Sequence, residues 1–454
     1  MLDVVFERFA QESPVCVIAR GLMERVLNPE QIDKWFEEAA KQQYTRDLLF
    51  STCFEMMSEV VCGSRKSVHA SYQARKNICV SVTSVYNKLN GIEVNTSAAL
   101  VRYAAGEMKE IIEKLGGTRP SLLPGFKVKI LDGNCIEATD HRIFELRSTA
   151  AGALPGKSLV VLDPSLRMPI NVFPCEDGHA QERSLLNDVL ETVEHLDLWI
   201  ADRNFCTLAF LLGIEQREAF YVIREHKGLP WKPLTDEKFI GGSESGKVYE
   251  QYIQITDESG KEHKIRRIHV RLKKPTRDKE TDLYLLSNLS KSAAHAKTIA
   301  ELYRGRWKIE HAFQELEAHL NSEINTLGYP PAALFAFCIA LIVYMVLAGL
   351  KAAMASVHGL DTIENKISGY YLADELSGTY RGMMIALPEE RWIVFRKYSM
   401  SELIKVLKQL AANIRLSAFL KHPRGPKKTP PKRVSDPKHP HVSTARLLAK
   451  RNRK

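Results

Sequence analysis

Between residues 324 and 350 the 454-residue chain carries no charged side chain, and 332–350 is almost wholly apolar. A surface helix shows water a polar face, so a run that is apolar all round must leave water. Two environments are open to it, a bilayer or a protein core. The chain offers no second run of this kind. The run is entered through Asn325-Thr326 and Gly328-Tyr329-Pro330-Pro331 and lies between segments of ordinary polar character. That setting favours a helix at the centre of a large core. The length is enough for two or three domains.

Composition supports a soluble globular class, at 45% hydrophobic and 26% charged. The formal net charge of +10 is not spread evenly. Residues 421–454 contain 12 Lys/Arg and one acid, Asp436, a net of +11, which leaves −1 for residues 1–420. A basic tail of this kind contacts phosphates without reading sequence, or simply solvates the end of the chain. The eight cysteines are scattered without a C-x-x-C pair, which points away from a zinc site or disulfide framework and toward a reducing cytoplasm. The start, MLDVVFERFAQESP, has early acids and no apolar stretch of signal-peptide length.

Residues 1–120 read as an all-α N-terminal domain, with apolar residues at three-and-four spacing in 29–43, 45–61 and 97–116 and a stop at Gly116-Gly117. Within it, 64–90 has the grammar of helix, turn, helix. Ser81 is placed to cap a second helix that presents Thr83, Ser84, Tyr86, Asn87 and Lys88, side chains suited to a DNA groove. Any capped amphipathic pair looks similar. From 126 the pattern changes to β-rich runs (126–134, 157–163, 168–176), an amphipathic helix (179–196), a buried strand (196–205) and another strand (219–225). Strands alternating with helices indicate an α/β sheet, over 121–225. Residues 226–288 alternate as half-exposed antiparallel strands and read as a β-rich insertion. Helix returns over 289–350, helical sequence continues over 351–420, and the basic tail is 421–454.

Asp132 and Asp202 each follow a strand-like run, where α/β proteins place their ligand crevice. A carboxylate there is costly to bury alone, and no Lys or Arg is an evident partner for both. A hard divalent cation answers the difficulty. Taken singly, a strand-end aspartate is as well explained by a turn. A third acid sharpens the pattern. Tyr303, Arg306, Glu310 and Glu317, read as one helix, fall within roughly 60° of each other beside the apolar stripe Ile299, Leu302, Ile309, Phe313, Leu316 and Leu320. A surface ion pair from Arg306 to Glu310 would use the same spacing. Glu176-Asp177-Gly178-His179 reads as a turn in which Asp177 caps a helix start, with a second metal site as the alternative.

Y-x2-R-x3-E after two strand-end aspartates resembles the signature of DDE transposases of bacterial insertion sequences, and in particular insertion-sequence family four, whose pattern is Y-x2-R-x3-E-x6-K. The resemblance rests on LDG at 131–133, ADRNF at 201–205, YRGRWKIEHAF at 303–313, the β insertion and the basic C-terminus. It implies an α/β RNase H-like catalytic core interrupted by the insertion, beside the all-α N-terminal domain and the helical C-terminal region. It also implies a metal triad of Asp132, Asp202 and Glu310 holding two Mg2+ ions, for which Mn2+ substitutes. Tyr303, Arg306, Trp307, Lys308, Arg203 and Lys88 become candidate DNA contacts, and Trp231 a candidate platform for a flipped base. The family Lys falls on Glu317 here, which puts one phosphate contact in doubt.

The activity implied is cut-and-paste transposition on double-stranded DNA, both element ends and target. It would be carried out by a homodimer in a synaptic complex in the bacterial cytoplasm, at the nucleoid and away from membranes. An inactive DNA-binding relative and an RNase H-like nuclease without strand transfer are the alternatives.

Overall fold

The computed structural model describes residues 4–43, 47–76, 78–140, 143–147, 151–276, 279–422 and 441–451, without the side chains of Lys308, His311, Glu317, Ala318, His441 and Arg451. It opens on helices α1 (Val4–Glu12), α2 (Pro14–Val26), α3 (Pro29–Ala39), α4 (Phe50–Val61), α5 (Val68–Gln73), α6 (Val82–Gly91) and α7 (Val94–Leu115). Local chemistry sets their ends. Asn28 and Ser81 accept hydrogen bonds from Gln31 N and Ser84 N as N-caps, and Gly116 closes α7 in the left-handed conformation at φ 73°.

These helices do not enclose a core of their own. They share one apolar cluster with α12 (Pro330–His358), the helix formed by the uncharged run. Every residue from Ala332 to Val343 is buried. α7, α4, α2, α6 and α16 (Met400–Ala412) pack around it. Phe50 meets Phe335 with ring centroids 5.8 Å apart. Gly349 permits the close approach, since a Cβ there would stand 2.6 Å from Met108 Sδ. The apolar cylinder is therefore covered by helices from both ends of the chain.

The second layer is a sheet of β1 (Lys127–Cys135), β3 (Lys157–Asp163), β4 (Met168–Cys175), β5 (Asp197–Ala201), β6 (Phe220–Arg224), β7 (Lys232–Pro233), β8 (Lys238–Gly242), β9 (Gly246–Thr256), β10 (Glu262–Leu272) and β11 (Asp282–Ser287). Its order is β4-β3-β1-β5-β6-β11-β10-β9-β7, with β8 also on β9. β1, β5 and β6 run parallel, and β3 is antiparallel to both its neighbours. This mixed sheet, with helices on both faces, fits an RNase H-like core. Residues 226–288 continue the same sheet, because β11 pairs directly with β6. Their strands are tied back by Arg266, which bonds Glu250 at 2.7 Å and caps the carbonyls of Leu289, Ser290 and Ala294.

Strand alternation sorts the two faces. Val128, Ile130, Leu198 and Ile200 join the large helical core, while Leu131, Trp199 and Ala201 face a smaller one under α8 (Leu186–Leu190) and α9 (Leu208–Gln216). The amphipathic run at 179–196 is less helical than its pattern predicts. It forms a turn, a 3-10 segment (Glu182–Leu185) and only the short α8, because Asp197 N–H closes on Glu194 O and the chain re-enters the sheet.

α10 (Ala296–Arg304) and α11 (Trp307–His319) follow β11 and pack on the large-core face. They are two helices rather than the single one the spacing predicts. At the junction, Gly305 and Arg306 donate to Leu302 O and Tyr303 O, tight i→i+3 bonds that turn the chain. After α12 come α13 (Leu360–Lys366), α14 (Gly369–Ala386), α15 (Ile393–Lys397) and α16, which starts on a Ser399–Glu402 capping box. Part of the basic tail is structured: β12 (His441–Ser443) pairs in parallel with β2 (Gly152–Leu154), and α17 (Thr444–Arg451) follows.

Candidate active site

The parallel register of β1 and β5 brings the first two acids together. Leu131 lies opposite Ala201, the last residue of β5, so Asp132 and Asp202 occupy the next positions on adjacent strands. Adjacent strands stand about 4.8 Å apart. Both aspartates share the alternation of Ile130 and Ile200 and so lie on the large-core face, where α10 and α11 pack. Glu310 comes from the first turn of α11. Its helix is anchored by Ile309, Ala312 and Leu316, which leaves the Glu310 side chain at the rim, 43% exposed.

Arg306 stands between the acids. Its Nη1 donates to Asp132 Oδ2 at 2.9 Å and its Nη2 to Glu310 Oε1 at 2.6 Å. Burial lowers the pKa of the guanidinium, but Tyr303, Asp132, Glu310 and Asp202 more than reverse it, so Arg306 stays charged. Tyr303, at the end of α10, donates its hydroxyl to Asp202 Oδ1 at 3.3 Å, and burial pushes its own ionisation up. Asp202 also faces Arg224 Nη1 at 3.9 Å.

Asp132 is the most perturbed acid of the group. Burial raises its pKa to about 7, opposed by Arg306 and a hydrogen bond from Gly133 N, and assisted by the negative charges of Glu310 and Asp202. The three carboxylates therefore feel one another. Three carboxylates against two guanidiniums, Arg306 and Arg224, leave negative potential in excess. The donor set is all oxygen, and it is the kind a hard divalent cation takes. Asp132, Asp202 and Glu310 fit such an ion by chemistry and by excess charge. Among the described residues no three acidic, His or Cys side chains are gathered as a ready-made cage, and at Asp132 and Glu310 the position between the oxygens belongs to Arg306.

The other candidate residues divide. Arg203 lies beside Asp202, but its Nη1 donates to Glu280 Oε1 at 3.1 Å, and Glu280 also pairs with Arg224. Trp307 is 62% exposed and borders a cavity of about 630 Å³ between α10, α11, α12 and α13. The side chain of Lys308 lies outside the described residues, as does that of Glu317. Lys88 is distant in the fold. Its ammonium stands 4.9 Å from the Phe36 ring centroid, and burial pushes its pKa down. The exposed side chains of α6 are instead those of Thr83, Ser84 and Asn87. Trp231 donates to Glu225 Oε1 at 2.9 Å and carries the Arg267 guanidinium on its ring at 4.7 Å. Asp177 accepts from His179 N at 2.9 Å in a turn and from Arg446 Nε at 2.6 Å, which clips α17 beside the sheet.

Three neighbours were not legible in the sequence. Glu182 lies against Gly133, where any added Cβ would collide with its carboxylate, and it accepts from Asn204 Nδ2 at 3.3 Å. By strand alternation it lies on the face of β1 opposite to Asp132. Arg224 and Glu280 link Asp202 to the β6–β11 edge. Only the glycine after Asp132 hinted at a close approach.

Residues 124–346 match the family described as the transposase DDE domain, a stretch that contains Asp132, Asp202 and Glu310. No curated protein matches the sequence. Among solved structures, the piggyBac transposase synaptic complex with hairpin DNA aligns at 10% identity and a TM-score of 0.37, covering 88% of this chain and 86% of that one. A score that low does not establish a shared fold. The family match supports a DDE transposase.

Proposed function

We propose that this chain is a DNA transposase of the cut-and-paste type, which binds the ends of its own element, cleaves them and joins the 3′ ends to target DNA. The observation that carries the reading is the register of β1 and β5. It sets Asp132 beside Asp202 on the face that α11 covers with Glu310, inside the segment that matches the transposase DDE domain. A carboxylate of raised proton affinity, Asp132, with two more acids beside it suits a site that takes up cations and phosphate. Double-stranded DNA is the partner, with a homodimer holding two ends, in the cytoplasm.

Asp132, Asp202 and Glu310 would hold two Mg2+ ions. Such ions lower the pKa of the attacking hydroxyl and stabilise the leaving oxygen in an in-line displacement. The chain's own residues do the rest. Tyr303 orients Asp202 through its hydroxyl. Arg306 offers a planar fork matched to a phosphate. Trp307 presents an exposed ring next to the carboxylate helix.

The test is excision in cells of a marker flanked by the element's terminal repeats. Wild-type protein is expected to excise it, and Asp132→Ala, Asp202→Ala and Glu310→Ala each to abolish excision at unchanged soluble expression. Excision that survives one of these changes removes that residue from the site. Bound repeats without excision by wild type would favour an inactive DNA-binding relative. Cleavage without joining would favour a nuclease.

A further inference from the structure

The position of Arg306 bears on how the site is loaded. Its two terminal nitrogens grip Asp132 Oδ2 and Glu310 Oε1 at 2.9 and 2.6 Å. These oxygens belong to two of the three carboxylates that the proposed metal site needs. The side chain is buried, with 8% of the residue exposed, and its Nε has no hydrogen-bond partner among the described residues. Besides its fork, the guanidinium meets the Tyr303 side chain.

We infer that Arg306 is a cation stand-in: it occupies the Asp132–Glu310 gap until a divalent ion takes those oxygens, and is then released to a DNA phosphate. The inference rests on the metal reading of the three acids given above. A guanidinium and a dication cannot both contact the same two carboxylates without standing a few ångströms apart, where like charges repel strongly in a partly buried setting. The two occupants therefore exclude each other. Release of Arg306 requires another anion, since an unpaired buried charge is costly. DNA supplies one, with oxygens spaced for a bidentate fork.

The route out is short. Arg306 sits at the tight turn between α10 and α11, and its partner Glu310 is already at the solvent rim. Gly305 beside it keeps the turn close, since a Cβ there would stand 2.9 Å from Leu302 O. Moving the side chain is then a rotamer change that leaves both helices in place. Metal uptake and DNA docking become coupled through one residue, and the coupling must be reciprocal. DNA bound to the protein strengthens its hold on metal, and metal strengthens its hold on DNA. In the absence of DNA, Arg306 suppresses metal loading.

The experiment measures Mn2+ binding to the full-length protein by electron paramagnetic resonance of the free ion, with and without a short duplex carrying the terminal repeat. Wild type is expected to bind Mn2+ at least tenfold more tightly when the duplex is present. Arg306→Gln is expected to bind Mn2+ at least tenfold more tightly than wild type without DNA, and to gain little from adding it. Arg306→Lys keeps the charge without the fork and is expected to fall between. It also decides the matter if Arg306→Gln does not fold, because no gain over wild type in Arg306→Lys overturns the inference. Equal or weaker Mn2+ binding by Arg306→Gln overturns it too, since a residue that only positions the acids would weaken binding when removed. Asp202→Asn separates the two readings. Mn2+ uptake indifferent to that change places the ion elsewhere and overturns the metal reading together with the inference, whereas sensitivity to it with no gain in the Arg306 variants overturns the inference alone.

Discussion

Removing the charge of Asp132 is expected to stabilise the metal-free protein while destroying its activity. The carboxyl titrates near 3.8 when free and is raised to about 7 in the fold, chiefly by burial. A raised folded-state pKa means the native state favours the protonated form. The group's favourable contribution is complete below 3.8, declines as pH rises, and is lost once pH passes 7. The difference of 7 − 3.8 = 3.2 pH units corresponds to about 4 kcal/mol at full strength. The side chain is 19% exposed, so solvent screening reduces the effect, and about 2–4 kcal/mol is the expected range.

Asp132→Asn keeps the shape and removes the titration. In urea unfolding with chelator present, the variant should exceed wild type by that amount at pH 8 and match it closely near pH 4. Adding Mg2+ should then raise wild-type stability by mass action and leave Asp132→Asn unchanged. An offset that is the same at both pH values would refute the reasoning, because it would come from packing rather than ionisation. A variant less stable than wild type at pH 8 would show that the Arg306 contact outweighs burial.

Three further expectations concern the frame around the site. Glu24→Gln should cost about 3–5 kcal/mol in chemical unfolding, because Glu24 is 1% exposed and holds both Arg20, at 2.7 Å, and Arg396; a cost under 1 kcal/mol would contradict this. Phe335→Ala should cost about 3–5 kcal/mol by the same measurement, since its ring is fully buried on α12 against Phe50, and a near-neutral result would mean that α12 is not packed as described. Gly133→Ala should destabilise by about 1–3 kcal/mol by forcing the Glu182 carboxylate away, and Glu182→Ala in the same chain should relieve most of it; additive effects in that double-mutant cycle would show that the two do not touch.

Much of the site was legible because it follows from local periodicity. Apolar runs lead into Asp132 and Asp202 from the N-terminal side, and an acid after a buried strand is a pattern of near neighbours. The helical segment carrying Tyr303, Arg306 and Glu310 was legible for the same reason. Its interruption was not, because Gly305 and Arg306 keep helical dihedrals and only the hydrogen bonds change register. Glu182 was invisible for another reason. Its proximity to Gly133 depends on how a 3-10 segment lies over a strand 49 positions earlier in the chain, as 182 − 133 gives.

The sequence by itself determined that residues 324–350 must leave water, that two aspartates end apolar runs while a glutamate lies on a helix beside an apolar stripe, and that the excess positive charge lies at the C-terminus. Hydrophobic pattern and charge are properties of a residue and its near neighbours, so they can be read in one dimension. The tertiary structure decided which surfaces meet. It set Leu131 opposite Ala201 and so Asp132 beside Asp202. It merged the N-terminal helices with α12 into a single core, joined residues 226–288 to the main sheet through β11, and docked β12 on β2. It also placed Arg306 between two of the acids. Periodicity fixes the face an element must bury and leaves its partner open. That choice depends on pairings between residues far apart in the chain, and only the assembled fold contains them.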